Sequence, residues 1–440
     1  MKKLVTLSLA GSLVAGLALT GCAKQDDKPA ASSTAAATTS PAAASTAKAE
    51  SKVKGKITFT TNRPDSQAIF DEVAKGFHAK YPDAEVEISG IKEYQKTMKV
   101  RLASNDLPDV MYYNAEIVPT TTQWPDFFLP IDDMGYKDTT YFADQVTLDG
   151  KMYGVVEGSF AHGIVYNKKT FADAGITAVP KTLDELFDAS EKLKAKSVTP
   201  IYLSFKDGWP MSYLATVAIH AAGGNPTYSD DFMKTDTPFT KTSPDGEYVN
   251  FLRLLKDKGY FEKDFVNGTY DQSVSGFISG KVGMLPYANW AFGGLEQAGM
   301  KMSDVGFFAL PLDNKGKPAA FMQKSWTIGI TKTSKNVETS KAFIKYLLEE
   351  SNYADKVGLI PALKSKTSTI PQIKEFMDAK PELYMERNAK DITNTTTNKA
   401  QINMQDFYQG GLIAKDDAEI QKIYDDYNKK WAAARAAAAK

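Results

Sequence analysis

The sequence has few of the residues from which redox and metal sites are built: one cysteine, Cys22, and three histidines among 440 residues. A single cysteine excludes a disulfide within the chain. His78, His162 and His220 lie far apart, and none has a second ligand at a metal-binding spacing. Phosphate-binding loops and nucleophile elbows are absent as well. We therefore expect no metal and no cofactor.

The chain also has no excess of charge of either sign. Lys and Arg together number 53, as do Asp and Glu. Removal of residues 1–21 would take away Lys2 and Lys3, leaving 51 basic against 53 acidic residues and a net charge of about −2. Without a basic excess there is no electrostatic reason to expect binding to nucleic acid or to an anionic membrane surface.

A long apolar run is absent except near the start, where Met1-Lys2-Lys3 precedes the mostly apolar stretch Leu4 to Leu19. This stretch is too short and too close to the first residue for a membrane span, so residues 1–21 are predicted to be an export signal peptide. Leu19-Thr20-Gly21-Cys22 resembles a lipobox, whose cysteine becomes the lipidated first residue after cleavage. Cys22 is the predicted lipidation site; the alternative is a chance cysteine.

Residues 22–54 are rich in Ala, Ser, Thr and Lys and have almost no large apolar side chains. Such a segment cannot bury enough surface to offset its chain entropy, so we predict a flexible stalk with a reach of roughly 30 Å. Acyl chains on Cys22 would anchor it with about 0.8 kcal/mol per buried methylene. The predicted location is the extracellular face of the cell membrane, on the periplasmic side in a cell with an outer membrane, with contact to the membrane through the lipid only.

The length of the chain exceeds what one hydrophobic core usually serves, so two lobes are expected. Lys56–Thr61 alternates like a strand, Ser66–Lys80 has apolar residues at helical spacing, and Glu85–Ser89 is the next strand. Open α/β sheets place ligands at the carboxyl ends of their strands. Arg63 and Asp65 follow the first strand and are candidate ligand-binding residues; the alternative is that they cap the helix and pair with each other.

The stretch Gly150–Leu193 is predicted to contain a hinge. Its glycines and the short apolar strand Ile164-Val165-Tyr166 suit a chain that crosses between two bodies. Thr182-Leu183-Asp184-Glu185 is a capping box that predicts the start of a helix in the second body. Far along the chain, Ala418–Lys440 predicts a long helix, and we assign its apolar stripe, including Trp431, to packing.

Several short motifs follow one another in the order known from one protein family. They are Leu107-Pro108-Asp109-Val110, Tyr153-Gly154, Tyr166-Asn167-Lys168, Phe171, Gly175, Pro180-Lys181-Thr182, Leu186, Thr199-Pro200-Ile201, Phe277 to Met284, Asn289-Trp290 and Leu359-Ile360-Pro361-Ala362. From about Lys56 onward the chain resembles the carbohydrate-type extracellular solute-binding proteins of ABC importers, the family of the maltodextrin-binding proteins.

This resemblance implies an α/β protein with the two-lobe periplasmic-binding-protein type II fold and three crossing segments between the lobes. It places residues 55–160 and 310–357 in the N-terminal lobe, and residues 161–309 and 358–440 in the C-terminal lobe. The ligand is expected in the cleft between the lobes.

The loop after the strand that ends at Tyr113 faces the cleft in this family. Asn114 and Glu116 lie in that loop, and each side chain can form two hydrogen bonds with neighbouring sugar hydroxyls. Trp124 either faces the cleft or anchors its own loop, and we favour the anchor. His162, in the hinge, either reaches the ligand or has a structural role, and we favour the structural role.

Three tryptophans stand where relatives hold a bound sugar, namely Trp209, Trp290 and Trp326, and Asn289 precedes the second of them. One face of a pyranose is a sheet of C–H groups that packs on an aromatic ring, while the hydroxyls at the ring edge form hydrogen bonds. The resemblance therefore makes the tryptophans stacking platforms and Asn289 a hydrogen-bonding residue. Three platforms suggest an oligosaccharide, and the scarcity of basic residues other than Arg63 in the expected cleft loops favours a neutral one.

These observations predict a lipid-anchored, monomeric solute-binding component of an ABC importer, which captures a sugar by lobe closure and delivers it to the permease subunits. It would not be an enzyme. Two alternatives stay open. A lipid-anchored polysaccharide-degrading enzyme would need two carboxyl groups about 5 to 9.5 Å apart, which a sequence with 53 scattered acids cannot exclude. A sugar-sensing module for a receptor would use the same pair of lobes.

Overall fold

The computed structural model describes residues 52–223 and 227–438, without the side chains of Asp65, Ala221 and Ala222. Contacts divide the chain into Met1–Glu50 and Ser51–Lys440, and every described residue belongs to the second unit. The predicted signal peptide, the lipidation site Cys22 and most of the predicted stalk lie outside the described residues.

Helices and short strands alternate along the described chain, and together they confirm the predicted α/β class. The strands are β1 (Gly55–Thr61), β2 (Ala84–Gly90), β3 (Val110–Tyr113), β4 (Thr147–Leu148), β5 (Lys151–Met152), β6 (Val155–Val156), β7 (Gly158–His162), β8 (Ile164–Asn167), β9 (Thr199–Ile201), β10 (Val282–Leu285), β11 (Val305–Phe308), β12 (Ala319–Lys324), β13 (Thr327–Ile330), β14 (Ile360–Pro361) and β15 (Glu382–Met385). The helices are α1 (Gln67–Lys80), α2 (Tyr94–Ser104), α3 (Trp124–Phe127), α4 (Lys168–Asp173), α5 (Leu183–Ala195), α6 (Trp209–Gly223), α7 (Tyr228–Asp231), α8 (Pro244–Asp257), α9 (Tyr270–Ile278), α10 (Ala291–Gln297), α11 (Val337–Glu349), α12 (Tyr353–Lys356), α13 (Pro371–Asp378), α14 (Asp391–Ala400), α15 (Met404–Ile413) and α16 (Asp417–Ala438).

The first sheet has the strand order β2-β1-β3-β13-β6. β1 is parallel to β2 and β3, whereas β13 is antiparallel to β3 and β6. Phe70, Val73 and Phe77 follow one another at helical spacing in α1 and are buried, and the Phe70 ring meets Phe59 of β1 edge-on at 6.1 Å. Because β1 and β3 are parallel, the loops that carry Arg63 and Asn114 leave the sheet at the same edge.

The second sheet has the order β11-β8-β10-β9. β9 is parallel to β10, and β8 is antiparallel to both β10 and β11. The capping box predicted for α5 is confirmed, because Thr182 Oγ1 accepts the N–H of Glu185 at 3.2 Å and the Glu185 carboxylate accepts the N–H of Thr182 at 3.3 Å. The buried side chains of Leu186 and Leu193 then hold α5 against the sheet.

The third sheet has the order β14-β7-β12-β15, and we call it the hinge sheet because its two central strands lie between strands of the other two sheets along the chain. β7 stands between β6 of the first sheet and β8 of the second, and β12 stands between β11 of the second and β13 of the first. β14 follows α11 and α12 and precedes α13. The stretch predicted to contain a hinge thus includes β7, while the number of crossing segments and the residue limits of the lobes stay predictions.

The C-terminal helix α16 packs its predicted stripe inward. Ile420, Tyr424, Tyr427 and Trp431 are buried, and Trp431 Nε1 donates to two backbone carbonyl oxygens at 3.1 Å. The assignment of Trp431 to packing is therefore confirmed. None of the helices within residues 52–223 and 227–438 is long and apolar enough to cross a membrane.

The folded unit already includes the last residues of the predicted stalk. The N–H of Lys54 donates to Thr339 Oγ1 at 3.0 Å, and Thr339 Oγ1 donates back to the carbonyl oxygen of Lys54 at 2.7 Å. Thr339 lies in the first turn of α11, a helix that packs on β1 and β13. The described chain therefore enters the body on the side of the first sheet.

Candidate ligand-binding cleft

A cleft of about 500 Å³ opens beside the hinge sheet, at the edge of the first sheet where the loop after β3 leaves it. Its volume lies within the range of roughly 300 to 1,000 Å³ that is typical of small-molecule sites. The walls come from the loop after β3, from β7 and β12 of the hinge sheet, and from the segment that follows β15. The lining residues are Tyr113, Asn114, Ala115, Glu116, Val118, Pro119, Thr121, Trp124, Gln145, Phe160, Gln323, Lys324, Ser325, Trp326, Thr327, Glu386, Arg387, Asn388, Ala389, Asp391 and Asn394.

Trp326 is the largest partly exposed side chain in this cleft. Its ring lies 5.6 Å from that of Tyr94, edge-on, and 6.1 Å from that of Tyr112, and both tyrosines are buried. The orientation of Trp326 is therefore fixed from behind. Phe160 of β7 supplies a second partly exposed ring. Trp124 also lines the cleft, but it is nearly buried and contacts Tyr113, in agreement with an anchoring role.

Asn114 and Glu116 both line the cleft, as the sequence predicts. Asn114 Oδ1 accepts the N–H groups of Glu116 at 3.0 Å and Ile117 at 3.1 Å, which shapes the turn after β3. Its amide nitrogen has no hydrogen-bond partner among the described residues and can donate to a ligand. Glu116 is exposed and forms an open ion pair with Lys99 at 3.4 Å.

The opposite wall is polar, and sequence reasoning missed it. Lys324 Nζ donates to Gln145 Oε1 at 3.1 Å and to Asn388 Oδ1 at 2.6 Å. The Glu386 carboxylate accepts Gln323 Nε2 at 3.2 Å and the backbone N–H of Lys324 at 3.1 Å. These five residues tie β12 to the segment after β15. The sequence offers no local signal for this wall, since Gln145 and Asn388 are 243 residues apart.

Arg63 lies next to the cleft and not in it. Its Nη2 is 2.8 Å from Glu157 Oε1 and 3.4 Å from the Oγ of Ser325, a lining residue. Arg63 therefore forms an ion pair with Glu157, a partner that the sequence did not predict. The side chain of Asp65, the second candidate in this loop, lies outside what the structure describes.

Glu157 is fully buried between β6 and β7 and receives donors from four side chains. The donors are Arg63 and the hydroxyl groups of Tyr112, Ser325 and Tyr353. The Tyr353 hydroxyl lies 2.8 Å from Glu157 Oε2. Burial alone would raise the pKa of the Glu157 carboxyl, but the charge of Arg63 and the hydrogen bonds outweigh it, and the pKa is lowered. Burial also opposes the charge of Arg63, yet the field of Glu157 raises the pKa of the guanidinium. The pair is therefore ionised in the folded protein.

Trp209 and Trp290 lie together on the side of the second sheet, outside the lining of the cleft. Their ring centroids are 5.5 Å apart, and Tyr213, Tyr270 and Tyr287 lie within 6.3 Å of Trp290. All of these rings except that of Tyr287 are partly exposed. We call these five residues the aromatic cluster.

Two residues of β7 connect the cleft to the aromatic cluster. The ring of Phe160 lies parallel to that of His162 at 6.2 Å, and His162 lies 4.5 Å from Tyr213. His162 is buried, with Nε2 3.1 Å from Gln323 Oε1. Burial lowers the pKa of His162 to about 4, so the ring is neutral near pH 7. Its contacts are those of a structural residue.

Asn289 requires a correction. The residue is fully buried, its Oδ1 accepts the N–H of Ala161 at 2.7 Å, and its Nδ2 donates to the carbonyl oxygen of Gly358 at 2.6 Å. Both ends of the amide are thus used to hold β7 and the residues before β14 against the loop after β10. In this structure Asn289 positions Trp290, and its side chain has no exposed group for a sugar.

The described residues also bear on metal binding. No group of three or more His, Cys, Asp or Glu side chains within residues 52–223 and 227–438 is arranged to hold a metal ion.

Comparison with known proteins adds a family and a set of relatives. Residues 60–354 match the family model described as bacterial extracellular solute-binding protein. The chain is 24% identical over 313 residues to the multiple sugar-binding protein of Streptococcus mutans, an alignment that spans 68% of this chain and 73% of that protein.

Solved structures have a similar fold. BlMnBP1, a binding protein of an ABC transporter from Bifidobacterium animalis subsp. lactis in complex with mannobiose, is 26% identical, with a TM-score of 0.69 over 88% of this chain and 95% of that chain. The apo form of RafE from Streptococcus pneumoniae has a TM-score of 0.73 over 87% of this chain and 98% of that chain, at 18% identity, which is a likeness of fold.

The Glu157 network leads to a stability prediction. Glu157→Gln removes the charge that faces Arg63 and keeps nearly the same shape. We expect the free energy of unfolding to fall by about 3 kcal/mol, because the largely buried guanidinium loses its counter-ion. Urea denaturation near pH 7, followed by circular dichroism, measures the change.

Glu350→Gln is the matched control, since it breaks an ion pair with Lys80 whose side chains are 40% and 38% exposed. That change should cost less than about 1 kcal/mol. The double variant Arg63→Met/Glu157→Gln should recover part of the loss, because it leaves neither charge unpaired. Equal effects of Glu157→Gln and Glu350→Gln would contradict the assignment.

His162 leads to a prediction about pH. Because the pKa of His162 is about 4 in the folded protein and about 6.5 in an unfolded chain, acid protonates the unfolded state first. The free energy of unfolding should therefore fall as the pH drops from about 6.5 towards 4, by up to about 3 kcal/mol from this residue. His162→Gln should reduce that slope, measured as the difference between variant and wild-type urea titrations at each pH.

The control is His78→Gln, because His78 is exposed. Parallel pH profiles for wild type and His162→Gln would refute the prediction.

Proposed function

The chain belongs to the bacterial extracellular solute-binding protein family, and from this we propose that it captures an oligosaccharide outside the cell and delivers it to the membrane subunits of an ABC importer. The observation that carries the proposal is the cleft itself. Trp326 and Phe160 offer ring faces there, and Asn114 and Glu116 lie on the same walls. A typical carbohydrate site combines aromatic rings, which pack on the C–H groups of the sugar, with planar polar side chains, which form hydrogen bonds with its hydroxyls.

The relatives support the same class of ligand. The Streptococcus mutans relative is a multiple sugar-binding protein, and the Bifidobacterium structure contains mannobiose. Neither name describes an enzyme, and in our proposal the chain binds its sugar without cleaving it.

We propose that capture involves closure of two lobes. The first lobe consists of residues 55–160 and 310–357. The second consists of residues 161–309 and 358–440. Residues of both proposed lobes line the cleft, since Glu386, Arg387 and Asn388 come from the second, whereas the aromatic cluster lies on the second lobe alone. A sugar can touch Trp326 in the cleft and Trp290 in the cluster at the same time only when the lobes are closed. These additional contacts favour the closed state. The three crossing segments act as the hinge, and the permease recognises the closed form.

We also propose that the protein is a monomer anchored to the outer face of the cell membrane. The supporting feature is the lipobox-like Leu19-Thr20-Gly21-Cys22, after which the acylated Cys22 and the residues up to about position 51 would form the tether. The chain would touch the membrane only through this lipid and through its permease.

Titration calorimetry tests the proposed function. Residues 51–440, which contain every described residue, are titrated with a panel of neutral and acidic plant-type oligosaccharides, and each mixture is then examined for cleavage. Binding with the sugar recovered intact is the expected result. Cleaved sugar would establish a polysaccharide-degrading enzyme. The absence of binding to every sugar would contradict the proposal and leave a non-carbohydrate ligand.

The tryptophans supply the residue-level prediction. Trp290→Ala and Trp326→Ala should each weaken sugar binding by about 1 kcal/mol or more, the scale of a lost aromatic contact, and leave the protein folded. Trp431→Phe is the matched control, since this ring is buried in the packing of α16 and its loss should alter stability and not affinity. An affinity unchanged by Trp290→Ala, measured by the same calorimetry, would remove Trp290 from the site.

A further inference from the structure

The charged residues of the cleft carry information about the charge of the ligand. Five of them line it: the cations Lys324 and Arg387, and the carboxylates Glu116, Glu386 and Asp391. Neither cation was predicted from the sequence: Lys324 ends β12, and Arg387 lies in the segment after β15. Whether these cations can bind an acidic ligand depends on whether protein carboxylates already pair with them.

The ammonium group of Lys324 is already engaged. Of its three N–H groups, one donates to Gln145 Oε1 and one to Asn388 Oδ1, and Nζ also lies 3.6 Å from Glu386 Oε2. The side chain is only 19% exposed. A ligand carboxylate would have to compete with the negatively charged Glu386 for the third N–H group of Lys324.

The guanidinium of Arg387 is also paired, since Nη1 contacts the Asp144 carboxylate. Arg63, behind Ser325, pairs with the fully buried Glu157, which cannot turn towards water. Each cation in or next to the cleft thus faces a carboxylate of the protein.

The carboxylates of the cleft have fewer positively charged partners than the cations have negatively charged ones. Glu386 has both oxygens engaged by Gln323 and by Lys324. Glu116 is exposed and has only the open pair with Lys99, and Asp391 has no ion-pair partner among the described residues. A negative surplus therefore remains at the cleft wall.

We propose that this cleft selects an uncharged oligosaccharide and rejects uronic-acid sugars of the same size; the inference rests on the proposed function. A bound uronate loses water from its carboxylate and finds no unpaired cation, while Glu116 and Asp391 repel it. A neutral sugar has hydroxyls to donate to the same carboxylates and to accept from the free amide of Asn114. The carboxylates of Glu116 and Asp391 thus act as a charge filter in addition to accepting hydrogen bonds from a neutral ligand.

The test compares charge classes in one protein. Mannotriose, raffinose and a chitin trisaccharide are the neutral probes, and trigalacturonate is the acidic one, each titrated by calorimetry into the chain from Ser51. At about 20 mM salt we expect the best neutral probe to bind at least about tenfold more tightly than trigalacturonate. Raising the salt to about 500 mM should strengthen trigalacturonate binding and leave the neutral sugar nearly unchanged, because only the repulsion is screened.

A double variant locates the filter. Glu116→Gln/Asp391→Asn should raise the affinity for trigalacturonate relative to the neutral sugar by about threefold for each carboxylate removed. Asp188→Asn/Glu191→Gln, on the exposed face of α5, is the control with the same change of net charge. The ratio of the two dissociation constants is read in each protein, so that a general loss of affinity does not count as support.

The outcomes separate the two hypotheses. Trigalacturonate binding as tightly as the neutral probes, or more tightly, overturns the charge filter and leaves the proposed sugar-binding function intact. An equal change of the ratio in both double variants also overturns the filter, because the effect would then come from net charge alone. If no probe of either class binds, the proposed function fails and the filter fails with it.

Discussion

One buried carboxylate connects the parts on which the cleft depends. Glu157 lies where the chain leaves the first sheet for the hinge sheet, and Arg63, Tyr112 and Tyr353 reach it from the loop after β1, from β3 and from α12. An isolated carboxylate at this depth would be unstable, so the surrounding donors must stay in place together. The backbone N–H of Glu157 also donates to the carbonyl oxygen of Trp326 at 2.9 Å, so the same residue holds the backbone of Trp326 in the cleft wall.

The second constraint is that the hinge sheet supplies much of the cleft wall. Gln323 and Lys324 end β12, Ser325 and Trp326 follow at once, and all four line the cleft. Phe160 faces it from the neighbouring β7. The strands that line the cleft are therefore the same strands that connect the first and second sheets along the chain. His162 and Gln323 extend this continuity to the aromatic cluster on the second sheet.

The features predictable from the sequence are those with local signals. The capping box at Thr182 fixes the start of α5, and the stripe of α16 follows from helical periodicity, because both depend on residues a few positions apart. The resemblance to a family brings Trp326 and Asn114 to the cleft by position. The partner of Arg63 lies 94 residues away, and the polar wall pairs Gln145 with a segment beyond residue 385. Such contacts depend on the register of distant strands, which no short pattern contains.

Asn289 shows a second limit of prediction from sequence. An amide that can bind two sugar hydroxyls can bind a backbone N–H and a carbonyl oxygen equally well.

The entry of the described chain on the first-sheet side has a mechanical consequence. Lys54 is held by Thr339 of α11, so a pull on the preceding residues is transmitted to the first sheet and its helices. The second sheet and the helices around it carry none of this load directly. The first sheet and α11 would thus be the attachment point for any force applied through the residues before Lys54.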